Sequence, residues 1–91
     1  MDLHLNDKHV LITGASKGIG LACAMGFLEE GARVTLVSRQ TANLEQAQTQ
    51  LRARWPKARV HCVAADLTQA SAGAQVLASC EAAQGAVDIL V

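Results

Sequence analysis

Aromatic residues are nearly missing from this chain, with one Trp, one Phe and no Tyr in 91 residues. Neither sign of charge is in surplus, since eight basic residues balance eight acidic ones. A chain so poor in rings and without basic excess offers no footing for nucleic acid or an anionic membrane as its main partner. The basic residues flanking Trp55 and Pro56 (Arg52, Arg54, Lys57 and Arg59) read instead as cations that complement the dipole at a helix C-terminus. No apolar run approaches the ~18 residues of a membrane span. The opening MDLHLNDKHV carries two acids and no apolar core before Val10, unlike a signal or transit peptide. Cysteine is also scarce. Cys23, Cys62 and Cys80 are odd in number, far apart and outside any CxxC. That pattern excludes a disulfide framework, and no His or second Cys stands at metal-ligand spacing. The expectation is of buried free thiols in a reducing, cytoplasmic compartment. His4, His9 and His61 are scattered, and His9 and His61 fall in strand-like runs where packing or a strand face explains them.

What is present alternates. About half of the residues are apolar, which argues against disorder, and the length fits one small domain over 1–91. Val10–Thr13, Val34–Ser38, Arg59–Ala64 and Val87–Val91 read as strands. Helical spacing runs over Ile19–Glu30, over Thr41–Arg54 with Leu44, Ala47 and Leu51 on one face, and over Thr68–Ala83 with Val76, Leu77 and Cys80 inward. Thr41 and Thr68 are expected N-caps, and Gly31 an expected C-cap with φ > 0. This rhythm predicts an α/β fold, a Rossmann-type parallel sheet of about four strands with flanking helices. The strands are continuous apolar runs, as buried parallel strands are. The first helix is unusual, because Gly18–Leu28 has no charged side chain. It is expected to be covered on more than one side, by the rest of the fold or by another chain.

The stretch TGASKGIG, Thr13–Gly20, sets three glycines between the first strand and that helix. A strand, a tight turn and a helix N-terminus together make an anion site, because the first N–H groups of the helix are unpaired and carry its positive pole. Gly14 permits the sharp turn, Gly18 a close approach to phosphate, and Gly20 close packing of helix on sheet. The spacing is neither G-x-G-x-x-G nor a P-loop.

TGASKGIG after HVLIT resembles the cofactor motif of the short-chain dehydrogenase/reductase family. The resemblance covers about Lys8–Val91 and rests on further matches in register: Gly31–Val34 before the second strand, Asp66–Leu67 after the third, and Asp88–Val91 opening the fourth. It implies an oxidoreductase that moves hydride between a nicotinamide dinucleotide and a small carbonyl or alcohol substrate. It also implies roles for single residues. Ile19 presents its N–H to the pyrophosphate and its side chain toward the nicotinamide. Ser16 adds a hydroxyl near the phosphate or ribose. Asp66 accepts from the adenine amino group, with the Leu67 backbone N–H beside it. The alternative for Asp66 is a cap on the third helix.

The end of the second strand separates NAD from NADP. An acid there bonds the ribose 2′-hydroxyl and repels a 2′-phosphate. Ser38 holds that position, followed by Arg39, whose guanidinium can grip a phosphate through two hydrogen bonds. Lys17 in the glycine loop is a second cation. NADP(H) is therefore expected over NAD(H), against the alternative that Arg39 is a solvated loop residue. In the family the proton is handled by a tyrosine helped by a lysine, a serine and an asparagine, all from segments after the fourth strand. This chain has no tyrosine, so no catalytic residue can be assigned. The expectation is an N-terminal segment of a longer enzyme, cut within the fourth strand and inactive alone. A non-catalytic NADP(H)-binding chain and a non-functional remnant are the alternatives. Homo-oligomerisation, through later helices, belongs to the full-length enzyme.

Overall fold

The computed structural model describes residues 6–13, 18–67, 69 and 71–91, and of Gly18 and Ile19 only the backbone. Its elements follow one another as β1 (His9–Thr13), α1 (Gly18–Glu29), β2 (Arg33–Ser38), α2 (Thr41–Arg54), β3 (Val60–Ala64), α3 (Ala72–Gln84) and β4 (Ile89–Leu90). All strand pairs are parallel, in the order β3-β2-β1-β4. The expected alternation and parallel sheet are therefore present.

Because strand side chains alternate, each face of the sheet builds its own core. Val10, Ile12, Val34, Leu36 and Val60 pack with Ala24 and Leu28 of α1 and with Leu44, Ala47 and Leu51 of α2. Leu11 and Val37 face the other way and pack with Val76 and Cys80 of α3. β1 to β2 and β2 to β3 step in one direction across the sheet, whereas β3 to β4 steps back past both. That reversal is why α3 lies on the opposite face from α1 and α2.

Helix boundaries differ from expectation in three places. α3 begins at Ala72 with Ser71 as N-cap, and Thr68 lies outside the described residues. The N-cap of α2 is Gln40, whose carbonyl accepts from Leu44 N–H at 3.2 Å; Thr41 is already helical. Leu77 is exposed (43%), because Ala72, Val76 and Cys80 fill the inner stripe of α3 and Leu77 falls beside it. Gly31 does end α1 as expected, at φ +85°. A Cβ there would stand 2.6 Å from Asn6 Oδ1.

α1 is covered on one side. Ala24 and Leu28 are buried against the sheet, Leu21, Cys23, Met25 and Phe27 are half-buried, and Ala22 and Gly26 are exposed. Within the described residues nothing provides the second cover expected for it. The outward positions Ala22 and Gly26 are small, so the exposed apolar area there is limited.

The N-terminal edge of the sheet is closed by polar side chains. His9 and Thr35 are both fully buried. His9 Nδ1 donates to the Gly85 carbonyl at 2.9 Å, since that oxygen only accepts. In the neutral ring Nε2 then accepts the Thr35 hydroxyl at 2.7 Å. Gln84 Nε2 donates to the Val34 carbonyl at 2.9 Å and to Thr35 Oγ1 at 3.3 Å. Asp88 receives the His9 backbone N–H at 2.9 Å and returns its own N–H to the His9 carbonyl at 2.9 Å. Buried polar groups without partners cost about 1–3 kcal/mol each, and among the described residues no buried side-chain N or O lacks one. The network thus ties β1, β2, the end of α3 and the start of β4 together. Other basic residues are also structural. Arg54 lies over the Trp55 ring at 4.7 Å, Arg52 donates to the Val60 carbonyl at 3.3 Å, and Arg59 pairs with Asp7.

Candidate functional site

A parallel sheet delivers every strand C-terminus to one edge. Register places Thr13 beside Val37, and Ser38 beside Ala64. β4 reaches the same edge next to β1: Val91 N–H donates to the Leu11 carbonyl at 2.8 Å, and Thr13 N–H to the Val91 carbonyl at 3.2 Å. The strand order reverses at β1, between β2 and β4, and ligands of open α/β sheets bind outside the strand C-termini at such a point.

Three chain segments meet there. From β1 the chain passes through Gly14, Ser16 and Lys17, which lie outside the described residues, into α1. Gly18, Ile19 and Gly20 form the first turn of α1, with no acidic side chain to neutralise its positive pole. β2 ends at Ser38, half-buried, whose Oγ accepts the Gln40 N–H at 3.3 Å and whose carbonyl accepts the Ala65 N–H at 2.9 Å. Arg39 follows with an exposed side chain (69%). β3 runs on into Asp66, half-buried, and Leu67, 43% exposed. The Asp66 carbonyl accepts the Gln69 N–H at 3.0 Å, forming a turn well before α3. The N-cap of α3 is Ser71, with no side-chain cap hydrogen bond.

The fold therefore gathers Ser38, Arg39, Asp66, Leu67 and the start of α1 on one edge. It also makes a contact that sequence reasoning missed. Arg39 Nη1 lies 4.0 Å from Asp66 Oδ2. Only the β2–β3 pairing brings these distant residues together, and the apolar runs of both strands were the one available hint that their ends would be neighbours.

Chemically, this edge can hold an anion at a helix N-terminus, a second anion at Arg39, and a hydrogen-bond donor at Asp66. Among the described residues no group of three or more His, Cys, Asp or Glu is placed to hold a metal. The thiols lie elsewhere. Burial pushes the Cys62 thiol up, against a smaller opposing effect of Arg52, and burial followed by the Glu81 charge does the same for Cys80. Both stay protonated at neutral pH and are poor nucleophiles. No described helix is long and apolar enough to cross a membrane.

Known proteins share this fold. The family profile described as short chain dehydrogenase matches residues 8–91. An uncharacterized oxidoreductase of Mycobacterium tuberculosis is 39% identical over 87 residues, which are 96% of this chain and 32% of the relative. The L-sorbose reductase of Gluconobacter frateurii, solved with NADPH and L-sorbose, superposes with a TM-score of 0.91 at 40% identity, over 99% of this chain and 34% of the reductase. An NAD+-bound xylitol dehydrogenase gives 0.87 at 30% identity, over 94% of this chain and 32% of that enzyme. The chain thus spans about a third of the length of these three proteins.

Proposed function

Since the chain belongs to the short-chain dehydrogenase family, we propose that it is the cofactor-binding segment of an oxidoreductase that uses NADP(H) rather than NAD(H). The observation that carries this reading is the end of β2. The position where an acid would bond a ribose 2′-hydroxyl is Ser38, and the exposed cation Arg39 follows it. A guanidinium gains most from a phosphate when nothing else holds it tightly, and Arg39 is 69% exposed. The reductase solved with NADPH supports the same reading, while the NAD+-bound relative is why the residues, and not the likeness, have to decide it.

In this reading each residue has a task. The N–H groups at Gly18, Ile19 and Gly20 receive the pyrophosphate, where the helix dipole favours negative charge. Gly14 leaves the turn open, Ser16 bonds the phosphate or ribose, and Lys17 joins Arg39 on the 2′-phosphate. Ser38 leaves room beside that phosphate without repelling it. Asp66 accepts from the adenine amino group, and the Leu67 N–H lies alongside. The bound nicotinamide supplies or accepts hydride. The proton donor is a tyrosine in this family, and no tyrosine occurs in these 91 residues, so they hold the cofactor and leave the proton transfer to residues elsewhere in the whole protein. The substrate is a small carbonyl or alcohol. The protein works in the cytoplasm, where its three cysteines stay reduced.

The test is a titration of the chain with NADPH and NADH, followed by nicotinamide fluorescence. NADPH is expected to bind at least tenfold more tightly. Equal affinity, or preference for NADH, overturns the assignment of NADP(H). Gly14→Val is expected to abolish both, because a β-branched side chain would fill the turn.

A further inference from the structure

Among the described residues β3 is an edge strand, paired with β2 alone. An edge strand offers unpaired N–H and C=O groups to any other strand, a second copy of the same chain included. The ladder fixes which groups these are. Val34 N–H donates to the Arg59 carbonyl at 3.0 Å, and Ala65 N–H to the Ser38 carbonyl at 2.9 Å. Arg59, His61, Val63 and Ala65 therefore turn their backbone groups toward β2, and Val60, Cys62 and Ala64 turn theirs outward. The outward carbonyl of Val60 is nevertheless taken twice. Gln48 Nε2 and Arg52 Nη2 each donate to it at 3.3 Å. These donors stand four residues apart on one face of α2. Leu44, four residues earlier in the same row, has its carbonyl 4.0 Å from Cys62 Sγ. Among the described residues no side chain bonds the outward backbone groups of Cys62 or Ala64.

We propose that Gln48 and Arg52 close the free edge of β3 against strand pairing with a second copy of the chain. The symmetric way to add that copy is antiparallel about Cys62, which sets Val60 of one copy opposite Ala64 of the other. The Ala64 N–H of each copy then has to donate to the Val60 carbonyl of the other. That oxygen has two lone pairs, and Gln48 and Arg52 engage both. Pairing has to break these bonds in each copy. It also has to strip water from Arg52, an exposed residue whose charge is costly to bury. β3 is five residues long, so a strand refused at Val60 keeps few bonds elsewhere.

The test follows amide hydrogen exchange of the whole chain at rising protein concentration. Cys62 N–H is the reporter, because it points away from β2 and gains protection when another strand pairs with it. Four chains are compared: the parent, Arg52→Ala, the double variant Gln48→Ala with Arg52→Ala, and that double variant carrying Ala64→Pro. Urea unfolding of each separates association from loss of stability. In the parent, Cys62 exchange is expected to be the same at every concentration. In the double variant it should slow roughly tenfold as concentration rises, with dimers in sedimentation, and Arg52→Ala should fall between. Ala64→Pro removes the N–H that the other copy's Val60 carbonyl needs and spares the ladder to β2, so it should restore the parent's behaviour. Concentration-dependent protection in the parent overturns the proposal. So does a double variant with a lowered urea midpoint and no such protection, since the two side chains then only hold α2 to the sheet. Dimers that survive Ala64→Pro also overturn it, because they use another edge. If the double variant does not fold, Arg52→Ala, which keeps the Gln48 bond, decides by the same readout.

Discussion

The two ends of the sheet treat polar side chains in opposite ways. At the N-terminal edge, His9 and Thr35 are fully buried and each is bonded to partners within the chain. At the C-terminal edge the Arg39 side chain is 69% exposed and lies 4.0 Å from the half-buried Asp66. The first arrangement spends its hydrogen-bonding capacity on holding β4 and α3 to the sheet. The second leaves the Arg39 guanidinium largely in water. Polar residues near strand ends therefore differ in meaning according to the edge they occupy, and parallel strands fix that edge by chain direction alone.

The contrast predicts effects of different kinds at each end. His9→Ala should have the largest effect, since it leaves a cavity and strips Thr35 and the Gly85 carbonyl of a partner. A loss of about 4 kcal/mol is expected, seen as a collapsed or missing transition in urea or thermal unfolding followed by circular dichroism. A variant that unfolds like the parent would mean that the closed end does not hold the fold. Next comes Arg39→Asp, which should move preference from NADPH toward NADH by about a hundredfold, ~2.7 kcal/mol, with the unfolding midpoint unchanged. A midpoint shift there would show that the open end is structural after all. Thr35→Val keeps the volume but removes the hydroxyl between His9 and Gln84, and about 2 kcal/mol of stability should go with it. Arg59→Ala breaks an exposed pair with Asp7, side-chain exposures 56% and 68%, and should cost less than about 1 kcal/mol, less still in high salt.

These variants also mark how far the sequence could be read. The strands and helices were legible because apolar runs and helical spacing are local, and the C-cap at Gly31 because a positive φ has few solutions. Ser38, Arg39, Asp66 and Leu67 were legible as neighbours on one edge of the sheet because each ends or follows a strand. The start of α3 was not, since Thr68 and Ser71 are equivalent N-caps by composition and packing against the sheet selects between them. Leu77 was misjudged for a similar reason: an inner stripe of Ala72, Val76 and Cys80 is as good on paper, and only the position of α3 against Leu11 and Val37 decides. The second cover expected for α1 is not found among the described residues. His9 looked like any strand histidine until its register and the turn at Gly85 placed a carbonyl on one nitrogen and a hydroxyl on the other.

The sequence by itself determined the alternating order of strands and helices, the glycine-rich stretch ahead of α1, and the neutral residue followed by a cation at the end of β2. All of these are set by the covalent neighbours of each residue. Tertiary structure alone decided that β4 lies against β1, that His9 is sealed between Thr35 and Gly85, and that Arg39 reaches Asp66. Those pairings join residues far apart in the chain, and what selects them is the burial of two apolar faces on one twisted sheet, a free energy that no short stretch of sequence contains.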